Sequence, residues 1–479
     1  MIERGLDYIF SPESVAVVGA STKGIGLQQA TATTFLKSLL SCGFKGKIYP
    51  VNPRGGEISG LKVYTNVKDI PKPVDYVICG ISLLQVPQLI KDCIVKGVKT
   101  IHILTSGFSE SGSEEGKQLE REISSLARQN GIRVIGPNCM GVYCPKIGLS
   151  FNPNFPKENG PVALISQSGG NSAYVVREGA RRGIEFSKAV SYGNACDINE
   201  SDLLEYLAAD PDTEIIAAYL EGVKDGPRFK QAFKEAANLK PVIVLKGGVT
   251  ESGARAVASH TGALAGAEEI WNALFHQFGA IRVYSLEELI DTAVTFTRLS
   301  PPLGKKLGIL GIGGGATVLA TDDCTNAGLE IPRFPIELQN KLKGYLTKGS
   351  IGVSLNNPVD LSDQGWNISY YCAKAILDYE GIDLLILQIP VGIFSYLSPE
   401  RYSATLSFIN GIIKAHRESN KPIGAVIHLP LSVETYQLVL DCERSCCEAG
   451  LPIYHSLSNA AKAITRFIDY HERRKGMLG

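Results

Sequence analysis

The sequence predicts an α/β protein of three doubly wound domains, and three observations carry that expectation. Apolar runs of strand length alternate with amphipathic stretches of helix length along the whole 479-residue chain. Fifty glycines supply the tight strand-to-helix turns that such folds need. Two turn-rich passages interrupt the rhythm, SFNPNFPKENGP at Ser150–Pro161 and the prolines of LSPPLGKK. At about 100–200 residues per domain the length suits three units, with expected limits 1–155, 156–300 and 301–479.

The first series reads VAVVGA, a helix near Gln28–Leu40, then KIYPVN, VDYVICGI, IHILTSG and RVIGPN. The second reads VALIS, FSKAVSY, EIIAAYL and PVIVLKGG, followed by a small-residue loop and the helix AEEIWNALFHQFG. The third opens on KLGILGIGGG, continues through LLILQIP and IGAVIHLP, and closes in a charged helix around Lys462–Arg474. Strands separated by helices form right-handed βαβ units and parallel sheets. In such sheets ligands gather at the carboxyl ends of the strands.

Composition narrows the function. Lys plus Arg and Asp plus Glu both total 48, so no global field recruits nucleic acid or an anionic membrane, and an anionic ligand must be held locally. The start MIERGLDYIFSPES carries charges where a secretory signal needs an apolar core, and no run of 18 apolar residues occurs. A cytoplasmic protein is expected. The eleven cysteines are scattered, and the cluster Cys442, Cys446 and Cys447 lacks a second pair at zinc-ligand spacing. Those thiols are expected to pack, and no metal site is expected on this chain.

After VAVVG comes Gly19-Ala-Ser-Thr-Lys-Gly24-Ile-Gly26, a turn that aims amide N–H groups and a helix N-terminus at an anion. An NAD site needs an acid about 20 residues further on. Here no Asp or Glu lies between Glu13 and Glu57, whereas Lys23, Lys37, Lys45, Lys47 and Arg54 do. A ligand with a diphosphate and an extra ribose phosphate fits better, which leaves coenzyme A or NADP. Two further strand ends, Thr105-Ser-Gly-Phe108 and Gly136-Pro-Asn-Cys-Met-Gly141, offer hydroxyls and an amide, or are simply turn chemistry.

In the second series, PVIVLKGG leads into Gly253–Gly266, small residues around His260 with Arg255 nearby. A loop so poor in bulky side chains is expected to move. A neutral imidazole is a good nucleophile, and moving lets it accept a phosphoryl group at one site and deliver it at another. Glu221 ends EIIAAYL and so belongs at the same sheet edge, where its charge would support the imidazolium that forms. Ser166-Gln-Ser168-Gly169-Gly170 follows VALIS and points a helix N-terminus at the phosphate. S-x-S-G-G lacks the first glycine of the G-x-S-x-G elbow, so an anion cradle is preferred over a serine nucleophile. The other six histidines are expected to pack or face solvent.

VVGAS, VNP, TSGF and IGPNCMG together resemble the CoA-binding domain of the succinyl-CoA synthetase superfamily. That resemblance implies CoA contacts from Gly19, Ser21, Lys23, Arg54, Thr105, Ser106 and Asn138. SHTGALAG, SQSGG and YLEG resemble the phosphohistidine domain of the ADP-forming acetyl-CoA synthetases. It implies that His260 is phosphorylated, that Glu221 stabilises it, and that Ser168, Gly169 and Gly170 cradle the phosphate. GILGIGGGATVLATDDCTNAGLEIP and NNPVDLSD resemble the CoA-ligase domain of the same synthetases, although family members read closer to GGPGVLATD where this chain has no proline. Asp322 and Asp360 either cap a helix and a turn or carry a functional role.

The implied fold is thus a Rossmann-like CoA-binding domain followed by two flavodoxin-like domains. The implied activity is that of the alpha subunit of an NDP-forming acyl-CoA synthetase: acyl-CoA, phosphate and ADP give the acid, CoA and ATP. No segment resembles an ATP-grasp fold, so the resemblance implies a separate ATP-grasp beta subunit, in an α2β2 assembly, that holds ADP or ATP with Mg2+. The alternatives are a CoA-binding regulatory module without catalysis and a succinate-specific ligase subunit. The acid and the choice between ADP and GDP are left open.

Overall fold

The computed structural model describes residues 6–21, 27–261, 266–301, 303–311, 314–346, 354–361, 367–389, 391, 398–430 and 432–478, with the side chains of 27–31, 258–261, 314–317 and 477–478 outside that description. Two compact units emerge: Met1–Ala180 with Glu185–Leu286, and Arg181–Ile184 with Glu287–Gly479. Among the described residues no helix is long and apolar enough to cross a membrane.

Among the described residues the first unit holds two large sheets and a two-stranded hairpin. The chain lays down β1 (Ser14–Val18), β2 (Lys47–Val51), a hairpin of β3 (Glu57–Ile58) and β4 (Leu61–Lys62), then β5 (Tyr76–Cys79), β6 (Thr100–Ile103) and β7 (Arg133–Ile135). The first sheet has the order β2-β1-β5-β6-β7 and is parallel throughout. β1, β5 and β6 are buried along their whole length, which is why they read as unbroken apolar runs. Strand order reverses between β1 and β5, and a reversal of this kind opens a crevice beyond the carboxyl ends. The helix expected near Gln28–Leu40 spans Leu27–Ser41.

The second sheet is built from β8 (Gly141–Tyr143), β9 (Asn159–Ser166), β10 (Phe186–Ser191), β11 (Ile215–Leu220), β12 (Val242–Lys246) and β13 (Ile281–Val283), in the order β13-β12-β11-β9-β10-β8. It is parallel except for β8, which runs antiparallel to β10 at the edge. β8 and β13 have three residues each, too few to stand out as strand signals in the sequence.

One expectation needs correction here. The small-residue stretch read as a loop is helical over Glu251–Thr261, so the backbone of His260 lies in a helix, while its side chain lies outside the described residues. Alanine is the best helix former, and Ala254, Ala256 and Ala258 favour a helix rather than a slack loop. The Thr250 Oγ1 accepts a hydrogen bond from the Gly253 N–H at 3.0 Å, and Glu251 pairs with Arg255 one turn on at 2.6 Å.

The second unit carries β14 (Leu307–Gly311), β15 (Val359–Asp360), β16 (Leu384–Ile389), β17 (Ile423–Ile427) and β18 (Ile453–Tyr454), parallel in the order β15-β14-β16-β17-β18. Apolar layers cover both faces, and Cys442 and Cys446 of helix Val433–Glu448 are buried in one of them. Within NNPVDLSD, Asn357 does structural work. Its Oδ1 accepts from the Ile309 N–H at 3.0 Å, and its Nδ2 donates to the carbonyls of Leu307 at 2.7 Å and Pro332 at 3.0 Å. Asp322 does not serve as a cap: it is exposed in the interior of helix Gly314–Asn326, away from its start. Asp360 ends β15, where its main chain exchanges hydrogen bonds with Ser354.

The short segment Arg181–Ile184 is tied into this unit by a buried ion pair. Arg182 pairs with Asp291 and donates to the Ile453 carbonyl from Nε at 3.2 Å and Nη2 at 2.8 Å, with both charged side chains 2 % exposed. Removing the carboxylate strands a buried guanidinium. Asp291→Ala should therefore cost about 3–5 kcal/mol in urea denaturation, and a loss below about 1 kcal/mol would contradict this role for the pair.

Candidate active site

A cleft of about 890 Å³ opens where the strand order of the first sheet reverses. Gly19, Asn52, Arg54, Ile81, Ser82 and Gln88 are among its lining residues. Gly19 leaves β1 at φ 99°, and a Cβ there would run into the carbonyl oxygen of Gly80. Only glycine lets the two strand ends approach so closely. Asn52 fixes the loop geometry: its Nδ2 donates to the Ala20 carbonyl at 2.9 Å, and its Oδ1 accepts from the Arg54 N–H at 3.1 Å. Arg54 is thereby held at the cleft with its side chain exposed.

The remaining candidates for CoA contact divide. The main chain of Ser21 is fastened to Thr33, whose Oγ1 accepts from the Ser21 N–H and donates to the Ser21 carbonyl, both at 3.0 Å. Lys23 lies outside the described residues. Thr105 is buried and its hydroxyl donates to the Ile81 carbonyl at 2.7 Å, so it shapes the cleft wall from behind. Ser106 is exposed on the same loop. Asn138 adopts φ 58° and its N–H donates to the Thr105 carbonyl at 3.1 Å, which joins those two strand ends.

The second constellation lies at the carboxyl edge of the second sheet. Ser168 precedes helix Gly169–Arg181 and caps it, its Oγ accepting from the Asn171 N–H at 3.3 Å. The Ser166 hydroxyl donates to the Ser168 carbonyl at 2.8 Å and accepts from the Ser168 N–H at 3.2 Å. A Cβ on Gly169 would stand 2.6 Å from the Met140 Cγ, whereas Gly170 is exposed and a Cβ there would meet only the Ser168 Oγ, at 4.0 Å. The turn thus presents a bare helix N-terminus, an arrangement suited to an anion.

Glu221 follows β11 and is 3 % exposed. Its Oε1 accepts from the Tyr219 hydroxyl at 3.1 Å. Burial, reinforced by the charge of Glu221, raises the Tyr219 phenol well above its ordinary value, so it serves as a donor. Gln167 accepts from the N–H groups of Glu221 and, at 3.0 Å, Gly222, which couples the Glu221 turn to the SQSGG turn. Lys246 at the end of β12 donates to the Glu221 carbonyl at 2.7 Å. Helix Glu251–Thr261, which carries His260, packs against the short turn Ser109–Ser111 just past Thr105 and Ser106. Sequence reading passed over Asn52, Gln167 and Lys246. The available signals were a lysine ending an otherwise apolar strand, and polar residues inside motifs that had been read for their neighbours.

A cleft at a strand-order reversal and an anion cradle in one unit suit an α/β enzyme that handles a phosphate-bearing ligand. Comparison with known proteins agrees. Residues 13–145 match the family described as CoA binding domain, and residues 159–296 match the family described as succinyl-CoA ligase like flavodoxin domain. The alpha subunit of acetate–CoA ligase [ADP-forming] II from Pyrococcus furiosus is 36% identical over 463 residues, covering 96% of each chain. An acetate–CoA ligase [ADP-forming] from Methanocaldococcus jannaschii is 40% identical over 359 residues, which span 74% of this chain and 49% of that one. A dinucleotide forming acetyl-coenzyme A synthetase 1 from Ca. Korarchaeum cryptofilum, solved in complex with phosphate and ADP, superposes with a TM-score of 0.81 at 31% identity, covering 99% of this chain and 98% of that one. The chain belongs to the ADP-forming acyl-CoA ligase family, as an alpha-type subunit. An alpha-type chain implies a partner subunit.

If Gly19 sets the approach of the two strand ends, Gly19→Ala should weaken CoA binding by roughly tenfold, about 1.4 kcal/mol, in isothermal titration with circular dichroism unchanged. An unaltered dissociation constant would remove Gly19 from the site.

Proposed function

We propose that this chain houses the CoA and phosphohistidine steps of the reversible reaction acyl-CoA + phosphate + ADP ⇌ carboxylic acid + CoA + ATP, with acetate-type acids as substrates. The observation that carries the reading is the joining of Glu221 to the SQSGG cradle through Gln167, at the sheet edge from which β12 leads into the helix bearing His260. The Gly19 cleft, with Arg54, receives CoA; Ser21, Lys23, Thr105, Ser106 and Asn138 belong to the strand ends around it.

The steps follow from the residues. A phosphate oxygen attacks the thioester carbonyl, the carbon–sulfur bond breaks, and CoA leaves as a thiolate that takes up a proton. The resulting acyl phosphate is attacked at phosphorus by a ring nitrogen of His260. The phosphorus–oxygen bond breaks, the carboxylate leaves, and the ring gives up its other proton or holds it against Glu221. Ser168, Gly169 and Gly170 direct main-chain dipoles at the phosphoryl oxygens, and positioning with charge neutralisation is what such a transfer chiefly requires. An oxygen of ADP then attacks phosphorus and the phosphorus–nitrogen bond breaks, releasing ATP.

The nucleotide and its Mg2+ are assigned to a partner subunit of ATP-grasp type, in an α2β2 assembly in the cytoplasm, and the chain is read as three domains, 1–155, 156–300 and 301–479. The Methanocaldococcus jannaschii relative supports a partner of this kind, because the match spans 49% of that longer chain and leaves the rest of it free to supply the same part in one polypeptide.

Incubating the complex with labelled ATP and Mg2+ should give an acid-labile label on this chain that His260→Ala abolishes. An acid-stable label, or one that survives the substitution, would sink the reading. Glu221→Gln should slow turnover by about 10²-fold or more while CoA affinity holds, as measured by steady-state kinetics beside titration. Wild-type turnover would take its role away.

A further inference from the structure

The ladder between β9 and β11 ends at Ser166 and Tyr219, and that between β11 and β12 ends at Leu220 and Lys246. Glu221 lies one residue beyond, where strand neighbours no longer satisfy its peptide groups. Two side chains take their place. On one flank the Gln167 Oε1 accepts from the N–H groups of Glu221 and Gly222. On the other the Lys246 Nζ donates to the carbonyl of Glu221 at 2.7 Å and to that of Gly247.

We propose that Gln167 and Lys246 are positioning residues that grip the main chain of Glu221 from opposite sides and so set the rate at which His260 is phosphorylated, an inference that rests on the reading of Glu221 and His260 given under Proposed function.

Both side chains are costly where they are. Gln167 is 5 % exposed and Lys246 4 %. Burying an amide or an ammonium is unfavourable unless its hydrogen bonds are made, and an apolar side chain of similar volume would fill either place. The Lys246 ammonium spends its donors on main-chain carbonyls and rests 5.2 Å from the centre of the Trp271 ring. The charges facing it are Glu221 just past β11 and Arg282 on β13, and Arg282 is itself paired with Glu268 at 2.9 Å. Burial dominates and lowers Lys246 to about 8, with Arg282 acting in the same direction and Glu221 against it. The group is therefore a cation below that pH and loses its charge above it.

The grip matters because Tyr219 already steadies the Glu221 carboxylate at 3.1 Å, so the side chain can be in register only if the main chain is. A misplacement near 1 Å at a reacting centre costs on the order of 10²-fold in rate. Gln167 also belongs to the cradle turn. It therefore sets the spacing between the residue that supports the histidine and the one that holds its phosphate.

The test uses the reconstituted complex carrying Gln167→Leu, Gln167→Glu or Lys246→Met, with rapid-quench measurement of phosphohistidine formation from ATP and titration of CoA. Gln167→Leu and Lys246→Met should slow phosphorylation by about 10²-fold with CoA affinity within about twofold of the parent. Gln167→Glu, which keeps the acceptor, should recover most of the rate. Full-rate Gln167→Leu, or Gln167→Glu as slow as Gln167→Leu, would overturn the proposal. So would parallel loss of phosphorylation and CoA binding. Should Lys246→Met fail to fold, the Gln167 pair decides alone. An unlabelled parent enzyme would instead refute the phosphohistidine reading, while a labelled parent with full-rate variants refutes only this inference.

Discussion

The parallel ladder of β9, β11 and β12 stops at Ser166, Leu220 and Lys246, and the loops that leave it have to satisfy their own backbone groups. Buried main-chain donors and acceptors cannot be left unpaired without a cost comparable to a lost hydrogen bond. Here the answer is a set of polar side chains drawn from the loops themselves. Ser166 closes the cradle turn, Gln167 ties it to the neighbouring turn, and Lys246 completes the other side. The same hydrogen bonds that end the sheet therefore place Glu221 beside a helix N-terminus.

The two sheets of the first unit are joined by contacts of the same kind. Asn194, just after β10, donates from Nδ2 to Glu110 Oε2 at 2.5 Å and to Glu120 Oε2 at 2.8 Å. Glu110 in turn accepts from the N–H groups of Gly107 at 2.5 Å and Phe108 at 3.3 Å. Thr105 and Ser106 begin that loop, and the helix bearing His260 packs against its far end. The loop behind the cleft wall and the segment that carries the histidine thus share one support. On the proposed reading, chemistry on the thioester and transfer to nitrogen would use the same edge of the unit.

Legibility in the sequence followed burial. Strands buried on both faces, such as those of VAVVG, LLILQIP and IGAVIHLP, are unbroken apolar runs and were readable, as was the acid at the end of EIIAAYL. Short edge strands were not: β8 pairs over Gly141–Tyr143 and β18 over Ile453–Tyr454, lengths at which periodicity carries no signal. The small-residue stretch misled for a physical reason, because absence of bulk was taken as absence of structure where alanines favour a helix. Gln167 and Lys246 stood in plain view within quoted motifs. Their task is to bond main chain that is distant in sequence, and only the sheet order reveals which main chain that is.

The central claim is that phosphoryl transfer from acyl phosphate to His260 belongs to this chain and needs no nucleotide. The most direct measurement incubates the complex with acetyl-CoA and labelled inorganic phosphate while withholding ADP, and follows label on this chain. An acid-labile, base-stable label that His260→Ala removes is the expected result. Label that appears only once nucleotide is added, or on another residue, would contradict it.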